Sequence, residues 1–250
     1  MSRLWSLLFL LVPVLGVALF VWAPGAGYWL PRDISQHGYQ IDHLFMFCLY
    51  LTGAVFVATE VVLFWFLWRY DGHRNCAPAK FSHGSHNLEV IWTVLPAATL
   101  LFIAIYQMNA WADVKMRHPE QPDAVSEVTG RQFEWRIRYP GADGQFDTPD
   151  DLHDVNVLHV PVNADVLVHL KSQDVLHDFF LPNLRVKQDA VPGMKIPVWF
   201  TATETGEFDL VCAELCGWGH YKMKGRLIVE SQSSYEQFLA DLKTQQEATQ

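Results

Sequence analysis

Residues 212–223 read Cys212-Ala213-Glu214-Leu215-Cys216-Gly217-Trp218-Gly219-His220-Tyr221-Lys222-Met223. Two thiols, an imidazole and a thioether fall within this one short run. A second imidazole, His177, closes the upstream segment Ser172-Gln173-Asp174-Val175-Leu176-His177. Soft sulfur combined with imidazole is the ligand set that suits copper in electron transfer. Gly217 and Gly219 let the loop turn tightly enough for His220 to return toward the cysteines. Met223 follows as a weak axial sulfur. Zinc is an alternative, since Cys and His also build closed tetrahedral sites; the methionine and the lack of Cys-x-x-Cys spacing speak against it. A mononuclear blue-copper site takes one Cys, two His and a distant Met, which leaves one thiolate redundant. Two thiolates shared between two copper ions use every ligand.

Working outward, the chain from Asp123 to about Glu230 consists of short alternating runs. Val155-Asn156-Val157-Leu158-His159-Val160 and Val166-Leu167-Val168-His169-Leu170 have the period of a half-buried strand, as do Glu207–Val211 and Gly225–Val229. Pro161, Asn163-Ala164-Asp165, Pro192-Gly193 and Thr205-Gly206 separate them. Several short strands with turn signals predict a small β-sandwich or barrel. From about Ser233 the pattern turns to a polar amphipathic helix.

The first half is apolar instead. A stretch from about Leu4 to Ala23 follows Arg3 and reads either as a secretory signal, with an Ala-Pro-Gly-Ala-Gly segment for cleavage, or as an uncleaved membrane helix. Two further stretches, about 41–68 and 88–108, are each long enough to span a bilayer. The polar loop 69–87 between them carries Arg69, Arg74 and Lys80, so the positive-inside tendency puts it in the cytoplasm and everything after about Asn109 outside. The expected organisation is 1–30 as signal or additional helix, 31–112 as membrane hairpin, 113–232 as metal domain and 233–250 as C-terminal helix and tail.

Composition narrows the partners. With 27 Asp+Glu against 18 Lys+Arg the formal net charge is -9, and no basic stripe offers itself to nucleic acid. No Cys-x-x-Cys-His occurs, so no covalent haem c belongs to this chain. Cys48, in an apolar helix, and Cys76, in a polar loop, read as incidental thiols.

The run Cys-x-Glu-x-Cys-Gly-x-x-His-x-x-Met, preceded by Ser-x-Asp-Val-x-His, resembles the binuclear copper A motif of cytochrome c oxidase subunit II. Leu184-Arg185-Val186-Lys187-Gln188-Asp189-Ala190-Val191-Pro192-Gly193-Met194 is similar to the segment that follows the first copper histidine in that family. Leu88-Glu89-Val90-Ile91-Trp92-Thr93-Val94-Leu95-Pro96 is similar to the start of its second membrane helix. The resemblance covers nearly the whole chain after about Ile34 and implies an α+β membrane protein with a cupredoxin-like β-sandwich or barrel outside a bacterial-type inner membrane.

It further implies that Cys212 and Cys216 bridge two coppers, with His177 and Met223 completing one ion and His220 and the Glu214 carbonyl the other. The Glu214 side chain would reach a magnesium at the boundary with the catalytic subunit. Electrons would come from reduced cytochrome c and pass to haem in subunit I, where oxygen is reduced and protons are translocated; subunit III is a further expected partner. Glu89 matches the family position that feeds a proton channel of the catalytic subunit.

The family's electron port is an aromatic pair, represented here by Phe133 and Trp135, with Phe where the family usually has Trp. A nitrous-oxide reductase module shares the copper motif but does not account for the hairpin with Glu89 and Trp92. A quinol-oxidase subunit lacks the copper ligands, and a non-redox scaffold leaves them unexplained. Asp143, Asp147, Asp150, Asp151 and Asp154 crowd one turn-rich segment, readable as a solvated turn, a docking surface for a basic partner that Asp174 and Asp178 join, or a calcium loop of no EF-hand spacing. Glu60 lies inside an apolar helix, where a carboxylate faces protein or water rather than lipid. His37, His43, His73, His83, His86, His118, His153, His159 and His169 read as structural or solvated.

Overall fold

The computed structural model describes residues 3–71, 78 and 81–248; Arg74, Cys76, Lys80 and His73 of the expected cytoplasmic loop lie outside the described residues. Three long helices come first: α1 (Arg3–Trp22), α2 (Gly38–Arg69) and α3 (His86–Lys115). The second and third are long and apolar enough to cross a membrane, with mean hydropathy 2.0 and 2.1. Aromatic rings join them, Phe47 of α2 meeting Phe102 at 6.0 Å and Tyr106 at 5.7 Å on α3. α3 runs past the expected end at Met108 to Lys115. Residues 109–115 contain no Gly or Pro to stop it, and Lys115 suits the negative end of the helix dipole. Glu89 sits in the first turn of α3, and Glu60 is half-buried on α2.

A second unit comprises Pro31–Ile41 and Met108–Gln250. Its strands are β1 (Ala124–Arg131), β2 (Glu134–Tyr139), β3 (Leu152–Val155), β4 (Val157–Pro161), β5 (Asp165–Ser172), β6 (His177–Leu181), β7 (Val186–Ala190), β8 (Ile196–Thr201), β9 (Gly206–Cys212) and β10 (Lys224–Glu230). They form two five-stranded sheets, ordered β3-β2-β1-β5-β8 and β4-β10-β9-β6-β7. The core holds Trp135, Ile137, Leu158, Leu170, Phe179, Phe200, Leu210 and Leu227, all with essentially no exposed surface. This is the expected β-sandwich, which follows the apolar helices in sequence.

Two local details differ from the sequence reading. The strand expected over Val155–Val160 breaks at Asn156, whose φ of 64° is left-handed. Asn tolerates that region better than most residues. Its side chain accepts from the Trp135 N–H at 2.8 Å, its own N–H donates to the Trp135 carbonyl at 2.7 Å, and its carbonyl accepts from Arg226 at 2.7 Å. One turn residue thereby ties β2 to β10. The other difference is Ile34, expected in the membrane segment. It is fully buried in the sandwich, donates to the Asn183 carbonyl at 3.0 Å and accepts from the Thr203 N–H at 2.8 Å. Its apolar side chain is drawn into the core, and the segment around it joins the β domain through an isolated bridge between Ser35 and Ala202.

The acidic segment is not wholly solvated. Asp151 is buried, accepts from the Asp147 N–H at 2.9 Å and pairs with Arg138 at 3.0 Å. Arg138 in turn holds buried Glu127 at 2.5 Å, its direct cross-strand partner on β1. Phe146 lies under the Arg138 guanidinium at 5.3 Å. The loop is thus folded around a half-buried cation.

Helix α4 (Gln232–Glu247) starts where Ser231 accepts from the Ser234 N–H, an N-cap of the usual kind. It closes the sandwich edge with Tyr235 and Phe238. The His159 ring stacks on Phe238 at 3.6 Å, and its Nδ1 lies 2.8 Å from Glu230. Burial, reinforced by the Glu230 charge, pushes the Tyr235 phenol up to about 12. Burial raises Tyr139 beside it as well. An acid whose folded pKa is raised stabilises the fold below its unfolded value, and that stability is lost as pH climbs toward the folded one. Thermal unfolding of the detergent-solubilised chain should therefore weaken from about pH 10 upward, and Tyr235→Phe should flatten the decline by on the order of 2 kcal/mol. Identical alkaline limbs would show that Tyr235 ionises in the fold.

Candidate metal centre

The last residue of β9 is Cys212 and the first of β6 is His177, and these two strands pair through Phe179 and Cys212. The sheet alone therefore brings the upstream imidazole to the downstream thiol. Cys212 Sγ lies 3.9 Å from His177 Nδ1, 3.8 Å from Cys216 Sγ and 3.3 Å from the Glu214 carbonyl oxygen. Cys216 Sγ lies 3.7 Å from His220 Nδ1 and 3.7 Å from Met223 Sδ. All six residues expected as copper ligands are thus gathered around two sulfurs. Cys212, Cys216, His177 and Met223 are buried, while Glu214 is exposed. Among the described residues no other group of His, Cys or carboxylates converges in this way.

Residues around the cluster fix its geometry. Asp174 Oδ1 sits 2.8 Å from His177 Nε2, and its Oδ2 accepts from the Gln132 N–H at 2.8 Å. With Nε2 engaged, Nδ1 is left for the sulfur side. Gln132 Nε2 also donates to the Cys216 carbonyl at 2.5 Å, which ties the β1–β2 turn to the loop. Gly130 has to be glycine for space, because a Cβ there would come within 2.8 Å of the His177 ring. Gly217 and Gly219 are constrained by Phe133, whose ring would lie 3.2 Å and 2.5 Å from Cβ atoms added to them.

The two thiols differ electrostatically. Burial alone would raise Cys212, but hydrogen bonds from His177 and from the backbone of Asp178 and Glu214 outweigh it and bring the thiol down to about 6. Burial and the charge of Cys212 push Cys216 up to about 12. The two thiols do not readily ionise together, so metal loading has to displace a proton from the pair. Burial lowers His177, whereas its bonds to Cys212 and Asp174 raise it, and the raising prevails. Asp178 is pushed up to about 7 by burial and by its hydrogen bond with Asp189. It is buried and does not belong to an exposed acidic face; Asp174 is occupied by His177.

The expected aromatics separate in space. Trp135 has no exposed surface and meets His177 at 6.0 Å and Phe179 at 5.7 Å, so it backs the site from within. Phe133 is half-buried and meets Trp218 at 5.2 Å. Trp218, Gln132 and Gly130 were not singled out by the sequence reading. The position of Trp218 between Cys216 and His220 was the available signal; the contacts of Gln132 and Gly130 cross long sequence separations and leave none.

A buried, mixed sulfur and imidazole set with a thioether fits copper better than zinc. The family models agree with that chemistry. Residues 127–231 match "Cytochrome C oxidase subunit II, periplasmic domain", and residues 26–110 match its transmembrane domain. The chain belongs to the cytochrome c oxidase subunit II family. It is 32% identical to the alternative cytochrome c oxidase subunit 2 of Bradyrhizobium diazoefficiens over 96% of this chain and 92% of that protein. To cytochrome c oxidase subunit 2 of Cereibacter sphaeroides it is 31% identical over 80% of this chain and 75% of that one. The solved periplasmic domain of subunit II from Bradyrhizobium japonicum covers 52% of this chain and 99% of that domain, at 29% identity and a TM-score of 0.46. As a subunit II this chain is a membrane protein with a periplasmic domain and part of an oxidoreductase complex.

Because Asp174 sets the His177 ring, Asp174→Ala should weaken copper binding by about 10- to 100-fold, measured by chelator competition. Unchanged affinity would mean that packing against Trp135 and Gly130 suffices to orient the imidazole.

Proposed function

We propose that this chain is the electron-input subunit of a haem-copper oxidase, holding a binuclear copper centre that takes electrons from reduced cytochrome c. The observation that carries this reading is the convergence of Cys212 Sγ, His220 Nδ1 and Met223 Sδ on Cys216 Sγ, at 3.8, 3.7 and 3.7 Å, with His177 and the Glu214 carbonyl on the Cys212 side. When bound, a copper pair here would accept and release one electron at a time with the charge shared across both thiolates. Cys212 and Cys216 would bridge, His177 and Met223 would complete one ion, and His220 with the Glu214 carbonyl the other.

The protein's own contribution is rigidity and dryness. The sulfurs lie in a buried pocket, His177 is clamped by Asp174, and the loop is clamped by Gln132 and Phe133. Firmly held ligands whose sulfurs are kept from water rearrange little between oxidation states, which favours fast transfer.

The remaining assignments rest on the family. The acceptor would be haem in a subunit I, with subunit III as a further partner, in a bacterial inner membrane. Phe133 would take part in electron input, with Trp135 behind it. Glu89, exposed in the first turn of α3, would serve proton uptake by the catalytic subunit. The exposed Glu214 carboxylate offers one oxygen to magnesium, which commonly takes one or two carboxylates from protein, so the other ligands would come from the partner subunit or water.

Electron paramagnetic resonance of the copper-loaded chain tests the centre. One unpaired electron shared equally over two copper nuclei gives seven hyperfine lines. A four-line spectrum, or silence in the oxidised protein, would overturn the binuclear assignment.

A further inference from the structure

Both bridging sulfurs, the thioether and the first imidazole are closed off from a docking protein, while His220 is half-buried and Glu214 exposed. Cys216 is 3% exposed and Met223 1%, and His177 has no exposed surface. The loop that joins Cys216 to His220 nevertheless carries Trp218, 82% exposed. An indole left in water contributes nothing to the core. Single exposed apolar side chains are ordinary, but Trp218 has Leu215 at 77% and Tyr221 at 68% as neighbours in the same run. Three large exposed apolar side chains on one loop of a buried redox site mark a contact surface.

Trp218 is also coupled inward. Its ring meets Phe133 edge to face at 5.2 Å and 69°, and the Phe133 ring lies on the backbone at Gly217 and Gly219. By covalent path Trp218 is two residues from Cys216 and two from His220. Phe133 is half-buried beneath the loop, so a docked protein meets the indole first. The larger indole π-system presents an amphipathic face suited to a protein contact.

Resting on the electron-input reading above, we infer that Trp218, backed by Phe133, is the contact residue through which the reduced metalloprotein delivers its electron to the Cys212–Cys216 centre. The partner is a one-electron protein whose redox group opens onto an apolar patch that seats on Trp218, Leu215 and Tyr221. In the transfer the partner's metal loses one electron and the copper pair gains it; no bond or proton changes place. Phe133, the aromatic suggested by the family pattern, becomes the inner support of this contact rather than its outer surface.

The test uses the intact oxidase with Trp218→Ala and Trp218→Phe and pre-bound reduced cytochrome c. Three quantities are read: the first-order rate of electron arrival after flash initiation, the dissociation constant of the complex, and the copper resonance spectrum. Trp218→Ala should slow the first-order step by about tenfold or more, with an unaltered copper spectrum, and Trp218→Phe should recover part of the rate. A first-order rate within about twofold of the parent overturns the inference, whether or not the dissociation constant changes, because Trp218 would then only dock or do neither. Cys216→Ser run in parallel separates the two levels. If that variant also keeps its rate, the electron-input reading itself fails; if it alone loses the rate, only the role of Trp218 fails.

Discussion

Cys216→Ser should abolish the seven-line copper spectrum and lower cytochrome c oxidation by about 100-fold or more. Cys216 Sγ is the atom on which Cys212, His220 and Met223 converge. Serine offers a harder oxygen with a tightly held proton, which suits copper poorly. On the opposite side Cys212 and His177 remain 3.9 Å apart, so one ion can still be held there. The expected residue of the centre is therefore a single copper with a four-line spectrum, not an empty site. Cys216 is buried, so a serine hydroxyl there costs about 1–3 kcal/mol unless it finds a partner, and melting of the metal-free variant measured in parallel separates loss of ligand from loss of fold. Seven lines surviving in the variant would show that Cys216 does not bridge.

What the sequence disclosed followed from locality. Cys212, Cys216, His220 and Met223 lie within twelve consecutive residues, so their spacing alone brought four ligands together. α2 and α3 were legible because hydropathy over some twenty residues has few competing explanations. Strands β4, β5, β9 and β10 alternate, and were seen. β6 (HDFFL) was not: four of its five residues are buried, with no period of two to detect. β1 was missed because Ser126 and Glu127 occupy buried positions there. Glu127 is satisfied by Arg138, a pairing that exists only once β1 and β2 are in register.

The site divides in the same way. His177 was placed by motif resemblance, and Asp174 stands three residues before it in the same motif, but the room for its ring depends on Gly130 and the position of the loop on Gln132, neither of which has a local signature. Asp151 shows the opposite failure: an aspartate in an acidic turn reads as solvated, yet it is buried against a cation from the neighbouring strand. Trp218 stood inside the quoted motif and was passed over, because a sequence does not say which face of a tight loop meets water.

That half-buried cation and its two buried carboxylates define the second large effect. Arg138 Nη2 lies 2.5 Å from Glu127 and Nη1 lies 3.0 Å from Asp151, whose side chains are 6% and 2% exposed. Asp147, at 2.7 Å, is 80% exposed and contributes little, as surface pairs generally do. Lys171 at 2.5 Å gives Glu127 a second partner, but Asp151 has no other cation at hand among the described ion pairs. Removing one member of a buried pair leaves an uncompensated charge, so Arg138→Ala should cost about 3 kcal/mol or more. For a domain of this size that corresponds to a fall in Tm of about 10 °C. The penalty comes from the stranded carboxylates rather than from the lost guanidinium, since replacing a whole buried ionic cluster with neutral side chains is often tolerated. Arg138→Leu combined with Glu127→Gln and Asp151→Asn should accordingly recover at least half of the lost Tm. Asp147→Ala should leave melting almost unchanged. If Arg138→Ala melts within about 2 °C of the parent, the cluster is hydrated in solution and the acidic loop is held by its backbone hydrogen bonds alone.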